Sequence, residues 1–189
     1  SALGRLRYHF DESIKEAQAM SDDLSGKIRT YTSDDIDVQY SLKRCIHAAE
    51  CVKRLGAVFD TAKKPWIQPS EADADAVAET IHHCPTGALH YERKDGETGE
   101  ATPTDNTMQI ETDGPIYVQG DARIVNEAGA TLLEDTRIAL CRCGASKNKP
   151  LCDNSHLSAE FKAGDDLAAN MENSGDLIEG DSPMTLSIA

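Results

Sequence analysis

Cys141, Cys143, Cys152 and His156 place three thiols and one imidazole within sixteen residues. Thiolate sulfur is a soft donor that selects zinc, copper(I) or iron–sulfur clusters. Gly144 allows the chain to turn tightly behind the first two cysteines, and Pro150 fixes the backbone before Cys152. Asp153 suits a helix N-cap, which predicts a short helix over Asn154–Glu160 whose leading amides face the negatively charged donors. Three Cys and one His would also satisfy tetrahedral zinc, but paired zinc thiols normally stand two or more residues apart, and only Arg142 separates Cys141 from Cys143. A disulfide between neighbours so close would be strained. Asp153, Ser155 and His156 are too near in sequence to align as nucleophile, base and orienter.

A second set of thiols lies upstream, at Cys45, Cys51 and Cys84. Single-cluster ferredoxins take their ligands from a Cys-x2-Cys-x2-Cys run and a remote Cys-Pro. Cys45 and Cys51 fit the first and third positions of the run, Ala48 stands in the second, and Cys84-Pro85 fits the remote ligand. Three thiols suit a [3Fe–4S] cluster. A fourth ligand (His47, water or a small molecule) would complete [4Fe–4S], and the three-iron form is preferred. His47 reads as a surface or neighbouring residue in preference to a ligand, and His82 and His83 as solvated or capping residues. The bland alternative is three buried free thiols, a role that Cys fills readily.

Both stretches resemble known families. Cys141, Cys143, Ser146, Pro150, Cys152, Asp153, Ser155 and His156 match the pattern of the CDGSH, mitoNEET-like iron–sulfur proteins, and Arg142, Gly144, Ala145 and Lys149 are similar to it as well. Asn154 replaces the usual Gly. Asn tolerates a left-handed backbone better than other residues with a side chain. Gly114-Pro115-Ile116-Tyr117-Val118-Gln119-Gly120 resembles the family's strand entry, so the likeness covers about residues 106 to 163. It implies a [2Fe–2S] cluster on Cys141, Cys143, Cys152 and His156, and pairing of chains as a homodimer. Upstream, Cys45, His47, Cys51, Val58-Phe59-Asp60, Pro65-Trp66-Ile67 and Cys84-Pro85 resemble the divergent mono-cluster ferredoxins over about residues 27 to 92.

A neutral imidazole in place of a thiolate raises a cluster's potential and lets protons compete with iron for the ring nitrogen. The visible absorption of the His-ligated cluster should therefore persist at neutral to alkaline pH and bleach on acidification. His156→Cys should remove most of that acid sensitivity, and an unchanged bleaching curve would count against the ligand assignment.

The elements that must position these ligands read as an α+β chain. A ferredoxin-like cluster domain (27–92) precedes a β-rich CDGSH domain (106–163) with a cluster-binding loop and a short helix. Leu3, Leu6, Phe10, Ile14, Ala17, Met20 and Leu24 form one apolar helical stripe (1–26) expected to pack on the ferredoxin-like part. Strands are expected at Ile28–Tyr31, Ile36–Tyr40 and Leu89–Glu92. Helices are expected at His47–Leu55 and at Glu71–His83, the latter capped by Ser70. Residues 93–105 read as a linker. Five short strands follow, at Met108–Glu111, Ile116–Gln119, Arg123–Asn126, Thr131–Leu133 and Arg137–Leu140, broken by Gly-bearing turns. The acidic tail (164–189) has low apolar content, with an edge-strand alternation at Met184, Leu186 and Ile188.

Domains of about sixty residues usually need a staple such as a metal. Metal patterns claim all six cysteines, which points to a reducing, cytoplasmic compartment. No apolar run reaches a membrane span, and the first residues lack a secretory apolar core. The formal charge of −14 disfavours nucleic acid. Residues 27–95 carry ten basic and eleven acidic side chains, whereas 165–189 carry six acidic and none basic. Acidic surfaces steer basic redox partners or simply keep a chain soluble.

The expected function is electron transfer or redox sensing with two unlike clusters and an unidentified protein partner. The alternatives are a cluster carrier with a labile [2Fe–2S] centre and a structural zinc module. No phosphate-cradling glycine loop or nucleotide fingerprint marks an enzyme, so the chain would at most supply electrons to another.

Overall fold

Two small, mainly antiparallel sheets with few helices build a mixed α/β protein. The computed structural model describes residues 24–164 and 184–187. The first sheet has the order β1 (Ile28–Tyr31), β2 (Ile36–Ser41), β3 (Leu89–Arg93). Alternation along β2 buries Ile36, Val38 and Tyr40, as expected of a strand with one wet face. Two helices follow β2, α1 (Glu50–Arg54) and α2 (Ala74–His82). Ala74, Val77, Ala78 and Ile81 line the buried face of α2 and join β2, Phe59, Ile67 and Leu89 in one core.

Local chemistry moved two helix starts. A 3₁₀ turn over Pro69–Glu71 takes Ser70 out of the capping position, and Asp73 caps α2 instead, accepting from the Ala76 amide at 2.9 Å. The expected helix from His47 shrinks to α1 because His47 and Ala49 have φ of 58° and 62°. A right-handed helix cannot pass through left-handed residues.

The second sheet holds β4 (Thr107–Ile110), β5 (Ile116–Val125), β6 (Thr131–Leu140) and β7 (Met184–Ser187). β5 pairs with β6 along both its halves, while antiparallel β4 and parallel β7 share its other edge. Here the five expected short strands become three: β4 keeps the length of the first, and the other four merge in pairs into β5 and β6. Gly120 makes a bulge, not a turn: the register shifts between Gln119 and Ala122. Its φ is +135°, and a Cβ there would meet the Asn106 Cα at 2.9 Å. Asn106 approaches closely enough for its side chain to accept from the Asp121 amide at 2.9 Å.

Leu24 closes the N-terminal stripe and is buried in the core of the second sheet with Val118, Ile124, Leu133 and Ile138, while the carbonyl of the next residue, Ser25, accepts from Ser41 Oγ at the end of β2. The rest of that stripe, the acidic run over 165–183 and Ile188 lie outside the described residues. Among the described residues, no helix is long and apolar enough to cross a membrane.

Candidate metal centres

The loop that follows β6 is closed by its own backbone. Cys141 donates its amide to Pro150 O and Cys152 to Ala139 O, each at 2.8 Å. Inside the loop, Ser146 Oγ donates to Leu151 O at 2.7 Å and accepts from the Asn148 amide. Asp153 accepts from the amides of Lys147 at 2.8 Å and Ser155 at 3.0 Å. Asp153 therefore bridges the loop, and Asn154 becomes the N-cap of a single helical turn, α3 (Ser155–Ser158), in place of the longer helix expected over Asn154–Glu160. Asn154 has φ of 72° and Gly144 has φ of 74°, the left-handed backbone anticipated for both. Arg142 pins the loop from behind, donating to the carbonyls of Glu111, Gly114, Ala163 and Gly164 and lying 5.2 Å over the Phe161 ring.

This frame sorts the four donors into two pairs. Cys141 Sγ lies 3.8 Å from Cys143 Sγ, and Cys152 Sγ lies 3.6 Å from His156 Nδ1. Both are the edge lengths of a tetrahedron with donors at about 2.3 Å (sulfur) and about 2.0 Å (nitrogen) from a metal. Among the described residues, no three His, Cys, Asp or Glu side chains converge on one point fit to hold a single ion. The amides of Ala145 and Asn154 donate to Cys143 Sγ and Cys152 Sγ at 3.4 Å each. Burial, followed by the charges of Cys141, Asp153 and Cys143, pushes the Cys152 thiol up despite its amide donor. A thiolate there needs a cation to offset that cost, and a metal centre supplies one.

Cys45, Cys51 and Cys84 line one small cavity with Tyr40, Trp66 and Pro85. Cys84 sits in the first core and the other two pack against it. Burial, then the neighbouring Cys84 and Cys45, push the Cys51 thiol up to about 11. The buried Tyr40 hydroxyl hydrogen-bonds the Cys45 sulfur; burial first, and then that sulfur, hold it far above the usual phenol value. Cys51 thus lies close enough to both other thiols to feel their charge. His47 is exposed and lines a larger, open cavity together with Cys45 and Cys51, while Ala48 lines the small one that all three thiols share.

The two cysteine sets meet at a seam between the sheets. Ile46, Ala139 and Cys152 form a small buried cluster, with Ala48 and Tyr117 packed against it. Ile46, the neighbour of Cys45, thus shares a buried cluster with Cys152 of the second set. Tyr117 is pushed up to about 12 by burial, Glu111 and Cys152. Asn148 also donates to Lys43 O across the seam at 3.1 Å.

A charged network that the sequence reading missed locks this seam. Arg44 pairs with Asp135 and donates to Thr86 O at 2.6 Å and Arg137 O at 2.9 Å. Arg137 reaches Leu89 O and Glu100, and His90 bridges Glu100 at 2.8 Å and Asp135 at 3.0 Å. Glu100 comes from the stretch expected to be a free linker, and its side chain is only 12% exposed. No spacing signal marked these residues, because the partners stand up to 93 positions apart.

Burial alone would lower the His90 pKa, but its hydrogen bonds to Asp135 and Glu100 and their charges overcome that and raise it to about 9. Its unfolded value is about 6.5, so the stabilisation is fully present below pH 6.5 or so and is lost as pH rises through about 9. The size is of order 3 kcal/mol. The urea midpoint of the protein should fall between about pH 7 and 10, and His90→Gln should lower it at pH 7 and flatten that decline. An unaltered slope in the variant would remove His90 from the lock.

Residues 31–94 match the family model of divergent 4Fe-4S mono-cluster domains, and residues 113–157 match the iron-binding zinc finger of CDGSH type. The protein YjdI of Escherichia coli K12, which carries the name "Uncharacterized protein YjdI", is 42% identical over 71 residues, covering 38% of this chain and 93% of YjdI. The YjdI sequence of Escherichia coli O157:H7 aligns equally well. The chain belongs to the divergent 4Fe-4S mono-cluster family. A CDGSH-type unit continues it in the same polypeptide. The mono-cluster match encloses Cys45, Cys51 and Cys84, and the CDGSH match encloses Cys141, Cys143, Cys152 and His156. The two matches together make this an iron–sulfur protein.

Proposed function

We propose that the chain is an electron carrier with two unlike clusters, a [2Fe–2S] centre on Cys141, Cys143, Cys152 and His156 and a [3Fe–4S] centre on Cys45, Cys51 and Cys84. The domains run over 27–92 and 106–163. The buried cluster shared by Ile46, the neighbour of Cys45, and Cys152 carries this reading. Electron tunnelling weakens steeply with distance, and this shared cluster brings the two ligand sets near each other. The pairing of donors in the CDGSH loop favours two metal atoms over one zinc. The small cavity that all three thiols share is lined by no histidine among the described residues, which supports three irons over four.

When bound, the clusters supply reversible one-electron chemistry, and the residues set its conditions. Tyr40 donates to the Cys45 sulfur, which stabilises negative charge there. Ala145 and Asn154 do the same at Cys143 and Cys152. Ile46, Ala139 and Tyr117 exclude water from the gap.

Iron and acid-labile sulfide should number five and six per chain, against six irons for a [4Fe–4S] first site. After photoreduction by less than one electron per chain, freeze-quenched EPR should show the electron settling on the His-ligated cluster with no loss of iron. Transfer of that cluster to an apo acceptor without any electron sharing would replace the electron-carrier reading with a carrier of clusters.

A further inference from the structure

An open cavity of about 780 Å³ lies outside the first thiol site, within the usual size of small-molecule pockets. Cys45 and Cys51 form its inner wall, so it reaches the metal site itself. Its walls are aromatic: Tyr31, Tyr40 and Trp66. Trp66, the chain's one tryptophan, is held edge-on to Tyr40 with centroids 4.9 Å apart and tilted against Phe59 at 6.2 Å. These contacts fix the indole before any ligand arrives, which lowers the cost of binding.

The charge at the mouth runs against that of the chain. Among the described residues, Arg29, Lys63 and Lys64 line it and no carboxylate does, in a protein with 33 acidic and 19 basic residues. The side chains of Lys63 and Lys64 are exposed and, among the described residues, pair with no carboxylate; the Lys63 ammonium donates to Gln68 Oε1 at 3.5 Å. Flat apolar walls beside a metal site and cations at the rim describe a binding site with a specific complement.

We propose that this cavity binds a planar aromatic anion, its ring against Tyr31 and Trp66 and its phosphate or carboxylate at Lys63 and Lys64, as the small-molecule redox partner of the first cluster. This rests on the reading of Cys45, Cys51 and Cys84 as cluster ligands. The step is outer-sphere: one electron leaves the cluster and one enters the ring, and no bond forms or breaks. Aromatic faces favour a delocalised ring, and paired lysines act on an anion as point charges.

Flavin mononucleotide is the probe and riboflavin its neutral control, since they share a ring and differ in the phosphate. With the cluster-loaded protein at low salt, flavin fluorescence should quench saturably. The substitution pair Lys63→Glu and Lys64→Glu should weaken flavin mononucleotide about tenfold and leave riboflavin within about twofold. No saturable quenching by either flavin up to about 1 mM, or equal response of both to the charge reversal, would overturn the proposal. So would lysine-dependent binding of an intact acidic flavodoxin with none of the free nucleotide, which would make the face a protein dock. Binding is read without electron transfer, so flavin capture by a protein whose clusters share no electron would sink the two-cluster relay and leave this site standing.

Discussion

Arg44→Ala is expected to destabilise the protein by about 3 kcal/mol, the low end of the cost of breaking a buried ion pair. Arg44 and Asp135 are each 4% exposed, so the carboxylate left behind cannot recover its water. His90 still reaches that carboxylate, which keeps the loss from the upper end of the range. The same substitution strands the carbonyls of Thr86 and Arg137, and each unsatisfied buried acceptor costs about 1 kcal/mol or more. Against a stability of about 5–15 kcal/mol for a domain of ordinary size, this is a large share. The damage should be uneven, because Arg44 adjoins Cys45 and Thr86 lies two residues beyond Cys84. Visible absorption from the first cluster should therefore bleach at lower denaturant than that of the second. Arg44→Met combined with Asp135→Leu should recover only part of the loss: it removes the stranded carboxylate, but the carbonyls of Thr86 and Arg137 stay without the guanidinium and His90 keeps Glu100 alone. A single-variant cost below about 1 kcal/mol would show that the seam does not depend on this pair.

Short-range chemistry was legible in the sequence. The Cys-x-Cys loop, the left-handed Asn154, the strands β1 to β3 and the buried face of α2 follow from spacing and periodicity within about a dozen residues. What escaped was long-range or competitive. Gly120 looks like a turn but is a bulge because Asn106, fourteen residues earlier, packs where a Cβ would stand. Ser70 looks like a cap, yet Pro69 starts a 3₁₀ turn and Asp73 offers an equally good acceptor closer to the helix. Glu100 lies among glycines and charges and reads as linker, although it is the counter-ion of His90 and Arg137. The same holds at the metal sites. The candidate donors could be picked out by their spacing, but the buried cluster that Ile46 shares with Cys152 exists only because the seam brings the two loops together.

That seam makes Gly87→Ala the other severe change. Gly87 has φ of +63°, and a Cβ on it would lie 2.5 Å from Arg137 O and 2.8 Å from Asp135 Oδ2, with the Arg44 guanidinium closer still. A left-handed alanine alone costs about 1–2 kcal/mol. The crowding adds to this, because backbone and buried ion-paired atoms cannot step aside as a surface side chain would. Gly96 and Gly129 provide the control: both have positive φ and nothing within 4 Å, so alanine there should cost only the backbone share. Gly87→Ala should exceed either by at least about 2 kcal/mol in denaturant unfolding, as overpacked sites do. In an Arg44→Ala background the excess should shrink, since one of the three obstructing groups is gone and neighbouring sites do not add. The loop at 141–156 is closed by its own hydrogen bonds, so iron should remain at the second site while electron exchange between clusters slows. An alanine at 87 no costlier than one at 129 would mean that the two units part easily, and that Ile46 does not hold the clusters at a fixed separation.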